Sequence, residues 1–236
     1  MTIQNKQNLS LGTNYEQVAG KFRPIFQRIA EGALAREKNR ELPREPIQWL
    51  KEAGFGAVRV PTAFGGDSVS QKQLFQLLIE LAKADSNVVQ ALRGHFAFVE
   101  DRLNAHKTED QSLWFQRFVE GDLVGNAWTE IGKVEIGDVV TRVTENEQGQ
   151  LTVNGRKYYS TGTIFADWID LFALDETTNQ HVIAAVSTHA SGIKISDDWD
   201  GFGQKTTGSG TLVIENVPVS REYILPFDQR FKYQTA

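Results

Sequence analysis

The stretch NGRKYYSTGTIFADW, residues 154–168, decides how the second half of this chain is read. Asn154-Gly155 stands between β-formers, and both residue types accept the positive φ of a two-residue turn, so a hairpin is expected there. The arm that follows breaks the alternation of apolar and polar residues that marks a half-buried strand. It runs Tyr158, Tyr159, Ser160, Thr161, Gly162, Thr163, a strand end made of hydroxyls and a glycine. One reading is a surface hairpin whose Ser and Thr side chains satisfy their own backbone. The other is a binding ledge, and it rests on the rest of the chain.

Around this stretch the hydrophobic period is that of strands. VGNAWT, DVVTRV, LTVNGRKYY, WIDLFAL, HVIAAVS and TLVIENV are separated by glycine- and asparagine-containing turns. Upstream of Gly121 the period is helical: Tyr15, Val18, Phe22, Ile25, Phe26, Ile29 and Ala33 form one stripe, and Leu74, Leu77, Leu78 and Leu81 another. LPREPIQWLKEAGF predicts a short helix stopped by Gly54, and VPTAFGGDS a sharply turned loop. Asp85-Ser86-Asn87 suits an N-cap and divides the following apolar segment into two helices, with a further short helix around EDQSLWFQRFVEG. Helices followed by strands predict an α+β chain. Its parts are an N-terminal all-α helical domain over 1–121 and a small antiparallel β-barrel-like domain over 122–227.

With 236 residues and 40% hydrophobic content the chain can bury a sizeable core. A formal net charge of -5 offers no electrostatic footprint for nucleic acid, and there is no basic run to hold an anionic membrane. No apolar run has the length of a membrane span, and the polar start lacks a signal-peptide pattern, so a cytoplasmic location is expected. Cysteine is absent, which removes thiolate chemistry, and His95, His106, His181 and His189 fall in separate segments without the spacing of a metal pair. No metal site is expected.

Four segments then occur in a telling order: WLKEAGFGAVRVPTAFGGDSVS, WTEIG, NGRKYYSTGTIFADW and GFGQKTTGSGTLVIENVPVSREYIL. Together they resemble the acyl-CoA dehydrogenase superfamily, from about Ala30 to Leu225. The resemblance implies a flavin ring against the ledge: Tyr159 as its flat wall, Ser160 and Thr161 as donors, and Gly162 where backbone comes close. Two departures matter. Thr129-Glu130-Ile131-Gly132 lacks the proline and the later serine of the dehydrogenase flavin loop, and Tyr159-Ser160 replaces Trp-Ile. Both are similar to the branch of flavin-dependent monooxygenases of the dibenzothiophene and sulfone-utilisation type. That branch uses reduced flavin, FMN rather than FAD, supplied by a separate reductase. A flavin hydroperoxide then oxygenates sulfur or another soft centre of a small-molecule substrate.

For the site, the resemblance implies Asn126, Trp128, Thr129, Tyr159, Ser160 and Thr161 around the ring. WDGFGQKTTGSGTL offers Trp199 as a stacking face and Lys205, Thr207 and Ser209 as phosphate-side donors, or else a glycine-rich turn with an exposed lysine. His95, Asn126 and Ser160 are the implied catalytic set, with His95 shuttling a proton. Alternatives stand beside these readings. His95 lies at the margin of an apolar helical stripe and reads equally as a packed core histidine, Asn126 as a strand-edge residue, and Trp199 as ordinary core. The resemblance also implies a homo-oligomer and a third, C-terminal helical region, toward which 228–236 reads as a stub. The other functions in view are an FAD-dependent acyl-CoA dehydrogenase and a non-catalytic fragment.

Overall fold

The computed structural model describes residues 14–132 and 139–228. Five helices come first: α1 (Tyr15–Asn39), α2 (Arg44–Glu52), α3 (Gln71–Ala84), α4 (Ser86–Ala105) and α5 (Ser112–Glu120). The capping chemistry sets their ends. Ser70 and Gln73 exchange side-chain and backbone bonds at the start of α3, a capping box. Asp85 both ends α3 and caps α4 by accepting from the Asn87 amide at 3.0 Å, the division its side chain leads one to expect. Gly54 ends the α2 turn in the left-handed region, with φ 75°.

The apolar stripes of these helices converge on one core. Phe22, Phe26, Phe55 and Phe96 meet largely edge to face, with Phe22 and Phe55 centroids 5.0 Å apart, over Ile29, Leu77 and Leu81.

Eight strands follow: β1 (Val124–Ala127), β2 (Arg142–Glu145), β3 (Leu151–Lys157), β4 (Trp168–Asp175), β5 (Gln180–Ser187), β6 (Ile193–Ile195), β7 (Leu212–Val219) and β8 (Ile224–Pro226). The sheet runs β6-β7-β3-β2-β4-β5-β8, with β1 paired to β4. Most pairs are antiparallel, but β1 and β2 both lie parallel to β4, β1 against its first half and β2 against its last residues. A second apolar core, including Val143, Val153, Ile169, Leu171 and Leu212, lies within this β half. A third cluster joins the halves, with Phe98, Phe115 and Phe118 of α4 and α5 against Val124, Ile183 and Ala185 of β1 and β5.

The hairpin expected at Asn154-Gly155 is not there. β3 runs straight through both residues and pairs with β2 on one side and β7 on the other. The turn between β2 and β3 lies earlier, at residues 146–149, where Asn146 Oδ1 accepts from the Gln148 and Gln150 amides and Gly149 takes φ 77°. Asn154-Gly155 answers a different demand. Asn154 faces a bulge on β7, where Val153 pairs with Val217 but Gly155 pairs with Ile214. Asn216 supplies the left-handed residue of that bulge, with φ 50°, and Asn154 Oδ1 accepts its amide at 2.8 Å. Gly155 is bare because a Cβ there would overlap the Thr141 hydroxyl. An Asn-Gly pair thus marks a bulge as readily as a turn, since both need a short amide and a missing Cβ.

The ledge itself is pinned against α4. Gly162 adopts φ 77°, and a Cβ on it would run into the carbonyl of Ala91. Gly54 has nearly the same φ, 75°, with open space around it. Gly54→Ala should therefore show the left-handed penalty alone, about 1–2 kcal/mol. Gly162→Ala adds a backbone overlap and should cost visibly more, at least about 3 kcal/mol with overpacking included. Urea unfolding of the two variants checks this, and equal losses would mean that α4 gives way.

Candidate functional site

Past Lys157 the chain leaves the ladder and folds into a series of tight turns. The Tyr158 amide donates to Thr129 O at 2.9 Å, the Ser160 amide to Gly210 O at 3.0 Å, and the Gly162 amide to Thr207 O at 3.2 Å. Tyr159, between them, is held at φ 54°, a conformation that costs an L residue about 1–2 kcal/mol. Its ring stays half exposed and stands edge to face with Trp199, centroids 5.6 Å apart. The Trp199 loop is clamped in turn: Arg40, at the end of α1, donates to the Asp197 carboxylate and to Trp199 O at 2.8 Å. A strained aromatic left partly in solvent is a mark of a working surface.

Beneath the rings the hydroxyls sort into two kinds. Thr161 Oγ1 lies 2.8 Å from Ser209 Oγ, and Ser209 Oγ lies 2.6 Å from Thr207 Oγ1, which reaches Gln204 O at 3.0 Å. These three buried hydroxyls can satisfy one another in a chain, with either polarity, ending on the Gln204 or the Tyr159 carbonyl. Ring-side Thr161 and phosphate-side Ser209 and Thr207 are therefore one cluster. Lys205, between Gln204 and the cluster, is exposed.

The second kind has no partner. Ser160 Oγ and Asn126 Oδ1 are both buried and make no hydrogen bond in the protein. Asn126 lies on β1 against α4, where a Cβ on Gly94 would come within 2.8 Å of its Oδ1. Ala91 and Gly94, one helical turn apart, thus face the ledge and Asn126 respectively. An unpartnered buried polar atom costs about 1–3 kcal/mol, so two of them in one wall call for an explanation.

Residues that sequence reading did not single out hold this wall together. Lys157, with a side chain 0% exposed, pairs with Glu130 at 2.7 Å and also donates to Trp128 O at 3.3 Å. Glu130 accepts further bonds from the Val140 and Thr141 amides and the Thr141 hydroxyl. Burial pushes the Glu130 carboxyl up, yet these bonds outweigh it and hold the group below its ordinary range; burial leaves Lys157 below its own range against the pull of Glu130. Asp167 does similar work at the other end, taking Lys51 of α2 at 2.7 Å and the Leu123 amide at 2.8 Å. The signal for all three lies in WTEIG and NGRKYYSTGTIFADW, as single charges set among apolar and hydroxyl-bearing residues.

The remaining residues stand as follows. Thr129 is exposed and bridges to Tyr158, and the Trp128 ring packs near Phe172 and Phe227. His95 is fully buried: Nε2–H donates to Gly56 O at 2.8 Å, and Nδ1 accepts from the Val124 amide at 3.2 Å. Both ring nitrogens are thus committed to backbone, in the neutral tautomer, the geometry of a packed core histidine. On another face of α4 an apolar groove of about 450 Å³ opens between α3 and α4, lined by Leu74, Phe75, Leu78, Ile79 and Phe96 among others. No acidic or histidine cluster able to hold a metal is present among the described residues. Nor is any helix among them long and apolar enough to cross a membrane.

Helices packed over a mostly antiparallel sheet, with a hydroxyl ledge tucked under the fourth helix, define a two-part α+β scaffold. The acyl-CoA dehydrogenase N-terminal domain profile matches residues 16–122 and the middle domain profile residues 126–217, and the chain belongs to this family. It is 24% identical to a probable FMNH2-dependent monooxygenase, SfnC, of Pseudomonas putida, over 86% of this chain and 50% of that protein. It is 26% identical to dibenzothiophene monooxygenase of Rhodococcus erythropolis, over 75% of this chain and 43% of that protein. Among solved structures, FMN-bound TdsC from Paenibacillus sp. A11-2 superposes with a TM-score of 0.79 at 22% identity, over 89% of this chain and 53% of that one. The chain therefore spans about half the length of the relatives it matches.

The environment of His95 has a pH consequence. Burial pushes its imidazole down to about 4 from an ordinary 6.5. A folded value below the unfolded one gives stability that is fully present above about 6.5 and is lost as pH falls through about 4, some 3 kcal/mol in all. Urea midpoints across this window should fall steeply for the wild type. His95→Gln should be less stable at neutral pH but flatter toward acid; parallel curves would mean that His95 is not the titrating group.

Proposed function

We propose that this chain forms the flavin-facing wall of a reduced-FMN-dependent monooxygenase acting on a small substrate with a sulfur or another soft centre. The observation that carries the reading is the pair of buried, partnerless atoms, Asn126 Oδ1 and Ser160 Oγ, the latter next in the chain to Tyr159, whose partly exposed ring meets that of Trp199. A flat ring with heteroatoms on its edge suits both: it offers polar groups to the two orphans and an apolar face to the aromatic rings. The residues present fit a flavin. The names of the relatives above support FMN over FAD, and sulfur compounds as substrates. When bound, reduced flavin supplies the electrons that activate oxygen.

The protein's own residues act around that chemistry. Ser160 keeps a free hydroxyl, able to donate or accept, whereas Thr161, Thr207 and Ser209 satisfy each other and set the shape of the ledge. Asn126 presents a fixed acceptor from the strand side. His95 holds β1 to Gly56 as a neutral tie, with both ring nitrogens committed to backbone. Trp128, Thr129 and Lys205 belong to the margin of the site. The wider reading includes oxygen and a separate flavin reductase as partners, a cytoplasmic location and a homo-oligomer. A second reading, FAD-dependent acyl-CoA oxidation, follows from the family of the matched domains. Enoyl-CoA formation coupled to an electron-acceptor dye separates it from oxygenation.

Anaerobic titration with reduced FMN, followed by quenching of tryptophan fluorescence, tests the main reading. Ser160→Ala and Asn126→Leu should each weaken binding by about tenfold to a hundredfold, the worth of one buried hydrogen bond to a ligand, with the unfolding midpoint unchanged or raised. Unaltered affinity in both variants would exclude the orphan pair as the flavin contact.

A further inference from the structure

The Glu130–Lys157 pair ties together the segment that carries Asn126 and the segment that carries Ser160. Lys157 ends β3, three residues before Ser160, and its ammonium bonds both Glu130 and the Trp128 carbonyl, two residues beyond Asn126. The Thr129–Tyr158 bridge joins the same two segments. Glu130 also accepts from the Val140 and Thr141 amides. Stability alone does not account for such a pair, because well-packed apolar residues in place of a buried ion pair are often as stable or more so. What the pair adds is direction: one ammonium with two fixed acceptors admits one spacing of the segments, where apolar side chains admit several.

We propose that Lys157, through Glu130 and the Trp128 carbonyl, is the positioning residue that sets the spacing between Asn126 Oδ1 and Ser160 Oγ for flavin. This rests on the flavin reading above. Neither charged group touches the ring; both act through the backbone of the residues that do.

Three variants of the whole chain test it, by anaerobic titration with reduced FMN and by urea unfolding in parallel. Lys157→Met strands the Glu130 carboxylate and should lose both stability and affinity. Adding Glu130→Gln removes the stranded charge and keeps one acceptor oxygen for Thr141, while the exposed Val140 amide can turn to water, so the double variant should recover much of the stability. Its affinity should stay about tenfold below wild type, the scale of one mis-set hydrogen bond, with a displaced absorption spectrum of the bound flavin. Lys157→Arg keeps the charge but not the single-nitrogen geometry; its extra bulk in a buried site should cost some stability, read by the urea series, with a similar loss of affinity. Affinity that returns with stability in the double variant, or that Lys157→Arg leaves untouched, overturns the positioning role. Failure of the wild type to quench with reduced FMN overturns the flavin reading itself, and this inference with it.

Discussion

Helix α4 and the ledge meet backbone to backbone, the Ala91 carbonyl against the α-carbon of Gly162, and the rest of the site follows from that closeness. Any side chain at residue 162 would hold the helix off the turn. With none there, α4 lies flat over the start of the β half, Gly94 admits Asn126, and the ring of His95 fits between Gly56 and Val124. The joint is then sealed by phenylalanines of α4 and α5 against β1 and β5, and by cations of the first two helices, Arg40 on Asp197 and Lys51 on Asp167. Apolar contact supplies most of the adhesion. The charged clasps set the orientation, since partly exposed pairs contribute little energy of their own.

Polar groups in this joint are of two sorts, and the difference separates scaffold from surface. The Thr161–Ser209–Thr207 chain and the Glu130–Lys157 pair are closed networks, every member answered by another. Networks of that sort rigidify a fold. Asn126 Oδ1 and Ser160 Oγ are left without a protein partner, at a cost that the fold carries. A half-exposed Tyr159 in a left-handed conformation adds strain next to Ser160. These groups complement a flat heteroaromatic ring, and that is the physical basis for placing the ligand there.

Much of the fold was readable from periodicity. The α1 and α3 stripes, the Asp85 cap and the Gly54 stop each state a local preference that packing did not override, and the strand segments after Gly121 stand near where their alternation puts them. Asn154-Gly155 misled because the features of a two-residue turn, a small polar side chain followed by no side chain, also serve a bulge on a neighbouring strand. Only the pairing of β3 with both β2 and β7 distinguishes the two, and that pairing joins residues some sixty positions apart. The site was readable in part for the same reason. Tyr159, Ser160 and Asn126 could be picked out as residues, but whether a hydroxyl is spent on a neighbour or left free depends on what lies 2.8 Å away in space.

The order of residues by itself determined the two-part architecture and the helix ends, because these follow from side-chain size, branching and capping chemistry acting within a few positions; the ledge was legible only through its resemblance to a family. Tertiary structure alone decided that Lys157 would be buried against Glu130, that Thr161 and Ser209 would be one cluster, and that His95 would give both nitrogens to backbone. Each of those outcomes is a competition for partners among groups distant along the chain. Partners are assigned only when helices and sheet close on one another and water leaves the space between them.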